Sequence, residues 1–184
     1  RCRLGAIGLS VHSISTPFRE NLTMKAGYSL IQIALHWLVA TLVLVQYQTG
    51  GSIGRTHDAV HAGLQPNPTD LLLHSVHNWS GMAIGGLMVL RLFLRWRSHG
   101  IVPVLKRESL ESAAAQLLHL GFYAVLLGQA AIGFIASYVT FSIAPFHVFG
   151  SNLILAMLAL HIGAAIVHAA MRDGVVVRIL RPRV

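Results

Sequence analysis

The chain has 184 residues, 54% of them hydrophobic and only 11% charged, less than half the charge content of an ordinary soluble domain. This excludes a soluble globular class and points to a membrane protein. The net charge of +8 does not mark a nucleic-acid binder, because it is distributed in blocks that set membrane topology.

Residues 1–23 lack both a helical apolar period and a convincing cleavage site, so they do not read as a signal peptide. Met24-Lys25-Ala26-Gly27-Tyr28-Ser29 looks like a start placed just before the first apolar run. Residues 1–23 are therefore expected to be a disordered extension or a mis-assigned start, and 24–184 the folded unit. The lone Cys2 excludes an internal disulfide and any multi-cysteine metal site.

Charge-free windows run over 26–54, 71–90 and 112–171, the last being 60 residues long. A crossing needs about 20 apolar residues, so the last window holds two. The sequence thus predicts an all-α integral membrane four-helix bundle with spans near 30–48, 72–93, 116–137 and 148–171. The segment up to Lys25, the stretch 91–111 and the tail from Arg172 each carry +3, whereas 49–70 carries −1. Positive residues favour the cytoplasm, so both termini and the middle loop are expected there.

The first span carries Gln32 and His36-Trp37. Alone, His36 would read as an interfacial side chain beside its tryptophan. The next loop holds His57, His61 and His74 with Pro66 and Pro68. His57 and His61 have the i, i+4 spacing of a helical metal pair, but the segment shows no clear helical period, so solvated loop histidines are expected. The second span opens with His77, followed by Gly81 and Gly85, and closes with Arg91 and Arg95. The glycines suit either close helix packing or a flat macrocycle laid against the backbone, and His77 on the same face favours the macrocycle.

The third span holds His119, Tyr123 and Gln129. The last carries His147, His161 and His168. His147 and His161 are 14 positions apart, which is about 21 Å along a helix and nearly a whole number of turns, so they share one face at two depths. Imidazoles inside a bilayer are costly unless they face a partner. His36 lies 11 residues from Lys25, and His161 lies 11 from Arg172. Those two match in depth, and His77 matches His147 at the outer edge. Two histidine pairs at two depths suit bis-imidazole ligation of two haem b groups, held non-covalently because no Cys-x-x-Cys-His motif is present. Arg91 is a candidate for gripping a haem carboxylate. His119 and His168 would hydrogen-bond to each other or to backbone, or else serve a quinone.

Tyr28-Ser29-Leu30 with His36-Trp37, His77 with Gly81, Arg91-x-x-x-Arg95, His119 and the His147, His161, His168 ladder resemble the bacterial cytochrome b561 family across nearly all of 24–183. The resemblance implies a multi-pass protein of the bacterial inner membrane, with His36, His77, His147 and His161 as axial ligands of two haem b irons and His119 and His168 on the quinone side. Small members of that family include superoxide oxidase, which takes electrons from superoxide and passes them to ubiquinone, and the resemblance implies such an activity here. The expected partners are thus the lipid bilayer, ubiquinone, and superoxide or a periplasmic electron donor, with no nucleic acid. Two alternatives stay open: a cytochrome b subunit serving a larger respiratory complex, and a haem-free metal or proton transporter.

Overall fold

The first helix starts where the sequence supplies a reciprocal cap. In the computed structural model, which describes residues 29–99 and 110–180, the Ser29 hydroxyl accepts from the Gln32 backbone N–H while the Gln32 side chain accepts from Ser29 N–H. This capping box satisfies two donors that the first turn leaves unpaired. Helix α1 runs Leu30–Thr49. After Gly50, α2 covers Gly51–His61. Helix α3, Pro68–His99, begins with the Asn67 side chain accepting from Thr69 N–H, a proline that needs no partner for its nitrogen, and Asp70 in the first turn. Helix α4 spans Leu110–Tyr138, a short 3-10 turn covers Phe141–Ile143, and α5 runs Ala144–Met171. Arg172 takes a left-handed conformation (φ 55°) that ends α5, and α6 is the short Val177–Leu180. Among the described residues all regular structure is helical.

One expectation needs correction. The segment 49–70 contains helix α2 rather than an aperiodic loop. Its buried stripe is Ser52 and Thr56, one turn apart, so the face that packs on α3 is small and polar. A hydrophobic period could not reveal it. Three stretches of the described residues are long and apolar enough to cross a membrane, Leu30–His61, Glu111–Tyr138 and Phe141–Met171. The expected span 72–93 is not among them. It lies within the 32 residues of α3, about 48 Å of helix, but His74, Ser75, His77, Asn78 and Ser80 dilute its apolarity.

Packing runs in a row, α1 on α3, α3 on α4 and α4 on α5, with α1 and α5 standing further apart. The Tyr47 hydroxyl bridges that gap by donating to the Ser151 carbonyl (2.5 Å). A buried apolar cluster ties the four long helices: Val39 and Val43 from α1, Ile84 and Met88 from α3, Leu126 from α4 and Ile154 from α5. Gly85 allows α3 and α4 to meet, since a Cβ there would fall 2.9 Å from the Ala130 Cβ. Gly81 faces the side chain of Gln46. Helix packing is therefore the use of Gly85, and the macrocycle reading of this glycine is withdrawn.

The expected extension 1–23, together with Lys25, Lys106 and Arg107, lies outside the described residues. At the α2 end of the bundle, α1 and α4 finish and α3 and α5 begin.

Candidate functional site

Helix α5 presents His147, Ile154 and His161 at intervals of seven residues, placing them along one face. Ile154 belongs to the buried apolar cluster, so the two histidines lie on either side of that layer. At the α2 end, His77 of α3 faces His147 with ring centres 6.2 Å apart and planes at 74°. At the opposite end, His36 of α1 faces His161 with ring centres again 6.2 Å apart and planes at 60°. The rings paired by depth in the sequence thus face each other in the fold, with His119 also beside His161.

The pair at the α2 end is held by its neighbours' polar side chains. Gln46 donates to the His77 carbonyl (2.7 Å) and to the Ser80 hydroxyl (2.6 Å). Gln129 donates in the same way to the His147 carbonyl (2.7 Å). One glutamine from α1 and one from α4 therefore fix the backbones of α3 and α5 at the facing histidines. The Thr49 hydroxyl donates to the Val45 carbonyl (2.7 Å) and lies 3.2 Å from His77 Nδ1. With its only proton used, Thr49 accepts from Nδ1–H, which leaves Nε2 of His77 with a free lone pair. Gly133 makes room for the imidazole of His147, because a Cβ there would lie 2.9 Å from His147 Cε1.

His119 of α4 packs beside the His36–His161 pair. Its ring lies 5.5 Å from that of His161, edge to face, and Phe122 packs on His161 from 5.6 Å. His168 instead meets Asp173, Nδ1 to Oδ2 at 2.5 Å, while the other Asp173 oxygen accepts from Val175 N–H (3.0 Å). Of the alternatives left open for these two histidines, a hydrogen bond to each other gives way to two separate arrangements. The physical reason is that α5 turns His161 towards α4, while the turn after Arg172 brings Asp173 back beneath His168. Arg91 lies close enough to act electrostatically on both His36 and His119, and Arg95 on His119.

His57 and His61 stand together on α2, with Nε2 atoms 2.9 Å apart. Arg55, also on α2, is bound by Asp70 through two N–H donors at 2.9 and 2.6 Å. That guanidinium holds the Asp70 carboxyl below its usual range. Sequence reasoning gave no role to Gln46, Thr49, Gln129 or Asp173. A signal was present for the first three, because each is a polar residue inside a charge-free window and needs a partner there.

The pairs can be tested for fit to a metal held between two imidazoles. A ring nitrogen binds a first-row metal at about 2 Å and the ring centre lies about 1 Å further back, so two rings on one metal have centres about 6 Å apart. Both pairs meet that condition at 6.2 Å. Buried His147 Nδ1 and buried Gln129 Oε1 each lack a hydrogen-bond partner. Each histidine pair joins helices that do not pack closely on each other, α3 with α5 and α1 with α5, so a flat group held by either pair would lie between helices not in close contact. The residues fit haem.

Comparison with known proteins agrees. The family model for prokaryotic cytochrome b561 matches residues 27–182. The chain belongs to the prokaryotic cytochrome b561 family. It is also similar to cytochrome b562 of Cereibacter sphaeroides, with 31% identity over 165 residues, covering 88% of this chain and 100% of that protein. As a cytochrome b561 family member it is a multi-pass bacterial membrane cytochrome, in contact with the lipid bilayer and working by haem-based electron transfer.

Proposed function

We propose that this cytochrome holds two haem b groups, one between His77 and His147 and one between His36 and His161, and acts as a superoxide:ubiquinone oxidoreductase of the inner membrane. Residues 24–184 would form the functional unit, with α3 as the fourth crossing and both termini cytoplasmic. The observation that supports this reading is the repeat of one geometry: two imidazole pairs with the same 6.2 Å separation, 14 residues apart along α5, on either side of a dry apolar layer.

Haem b would supply a one-electron iron couple, and a pair of histidines holding each haem would favour electron transfer over dioxygen binding. The chain's residues do the rest. Thr49, Gln46 and Gln129 orient the outer ligands, as outer-shell partners of metal-bound histidines do. Val39, Val43, Ile84, Met88, Leu126 and Ile154 keep water out between the pairs. At the α2 end, two superoxide anions each give up one electron and leave as dioxygen. At the opposite end, one ubiquinone takes up two electrons and two protons and leaves as ubiquinol. His119 and His168 serve that quinone side, with Asp173 orienting His168 and able to pass it a proton. Arg91 grips a haem carboxylate, its fork matching that group.

One observation favours a second reading. Arg55 is the basic residue of segment 49–70, and Asp70 neutralises it. An anionic substrate gains from a positive mouth; a protein donor does not require one. The second reading is an electron-transfer subunit that takes electrons from a docked protein.

Rapid mixing separates the two. Detergent-purified protein is given a pulse of superoxide, with and without soluble ubiquinone, while the visible spectrum is followed. Growth of a reduced b-type band that ubiquinone drains is the expected result. A band reduced by dithionite but not by superoxide would favour the docked donor. Purified protein with no haem band would overturn both and return the haem-free transporter.

A further inference from the structure

We propose that His57 and His61 form an exchangeable surface site for a first-row divalent cation that prefers imidazole, Cu2+, Ni2+ or Zn2+. This site does not depend on how electrons enter the protein. In sequence the pair had the right spacing but lacked a helix to make that spacing meaningful. The structure supplies the helix, Gly51–His61, and residues four apart on a helix are surface neighbours.

The geometry goes further than proximity. The two Nε2 atoms are 2.9 Å apart, with ring centres 4.3 Å apart and planes at 71°. Two nitrogens bound at about 2 Å to one metal, at angles between square and tetrahedral, are separated by about 2.8–3.3 Å. The observed spacing is such a bite. A neutral pair sharing one hydrogen bond has the same separation, so binding itself must decide between them. His57 is also held from behind: its ring stacks on Phe141 of the 3-10 turn at 4.2 Å and 23°. A ligand already fixed loses less freedom when the metal arrives.

Among the described residues no group of three or more His, Cys, Asp or Glu forms a metal-binding cluster. Two imidazoles would therefore supply the protein's share, with water completing the shell. Such a site is modest in affinity and exchangeable, and the general order of divalent affinities places Cu2+ first. A cation there also adds positive charge at the α2 end, where the charge of Arg55 is neutralised by Asp70.

The test is a Cu2+ titration of the full-length, haem-loaded, tag-free protein in detergent, read by electron paramagnetic resonance and by competition with a chelator of known affinity. The expected result is one equivalent of Cu2+ whose spectrum shows coupling to two imidazole nitrogens, with binding weakened at least tenfold in His57→Gln and in His61→Gln and unchanged in His74→Gln. Visible haem spectra of the variants confirm that each is folded. Equal affinity in wild type and both variants, or a copper signal without two-nitrogen coupling, would overturn the proposal. Phe141→Ala supplies a second arm: it keeps both ligands but frees His57, and a several-fold loss of affinity is expected.

Discussion

Thr49 is the residue whose side chain says most about the chemistry of the α2 end. Its hydroxyl proton is committed to the Val45 carbonyl, so it accepts from His77 Nδ1, and with His77 holding a haem as proposed, that contact would make it a more electron-rich ligand through Nε2. Thr49→Val should raise the midpoint potential of one haem, by up to about 59 mV if the one-electron equilibrium shifts tenfold, whereas Thr49→Ser should leave it in place. Potentiometric titration of the visible bands checks both. For the other pair, His161→Ala should lose one haem equivalent by pyridine haemochrome assay, while His168→Ala should keep both and slow quinone reduction. Loss of haem from His168→Ala would reassign the inner ligand. Asp70 carries a pH prediction. Its carboxyl titrates low because Arg55 donates to it, so the pair's contribution is present above the ordinary carboxylate pKa of about 3.9 and is lost as pH falls through the lowered value. Arg55→Ala should move the Asp70 titration, followed by carboxyl carbon NMR, back towards that ordinary value. The four paired histidines were legible in sequence because a polar ring in an apolar run must be explained. Their supports were not, because a glutamine's partner across a helix interface is a matter of rotation that spacing does not reveal.

The glycines of α3 show how helices are set against each other. Gly85 faces Ala130, where an added Cβ would come within 2.9 Å, and neighbouring Gly86 has nothing within 4 Å. Gly85→Val should therefore overpack the contact between α3 and α4 and cost about 1–3 kcal/mol. Gly86→Ala should be neutral or stabilising by about 0.4–1 kcal/mol, since it only restricts the unfolded chain. Thermal denaturation in one detergent, followed by helix signal and haem absorbance, compares the two. Glycines i and i+4 on a ligand-bearing face suit a cofactor or a neighbouring helix in sequence, and His77 beside them tips the reading to the cofactor. The choice was made by the approach of α4, which lies far away in the chain. Helix α2 teaches the converse. Its packing face is Ser52 and Thr56, with Ser52 donating to the Thr49 carbonyl (2.6 Å), and burial of small polar residues leaves no apolar period for sequence reading to find.

At the scale of the whole molecule, the row of packed helices places both described ends, Ser29 and Leu180, away from the α2 end. Together with the basic segments, this gives a topology that labelling can check. In a Cys2→Ser background, Leu64→Cys should react with an impermeant maleimide in cells with a permeable outer membrane, and Val175→Cys only after the inner membrane is opened. Labelling of both from one side would remove α3 as a crossing. Composition and charge spacing alone determined that the chain is helical and membrane-bound, and histidine spacing determined the two depths at which imidazoles meet, because a helix rise is constant and apolar length is set by the bilayer. What only the tertiary structure decided is which neighbours complete those depths: His119 against His161, Asp173 beneath His168, Thr49 behind His77, and His57 beside His61 on a helix that no hydrophobic pattern announces. Those contacts depend on the rotation of each helix about its own axis and on the path of the turns between helices, quantities set by packing across the bundle and not by the order of residues along any one segment.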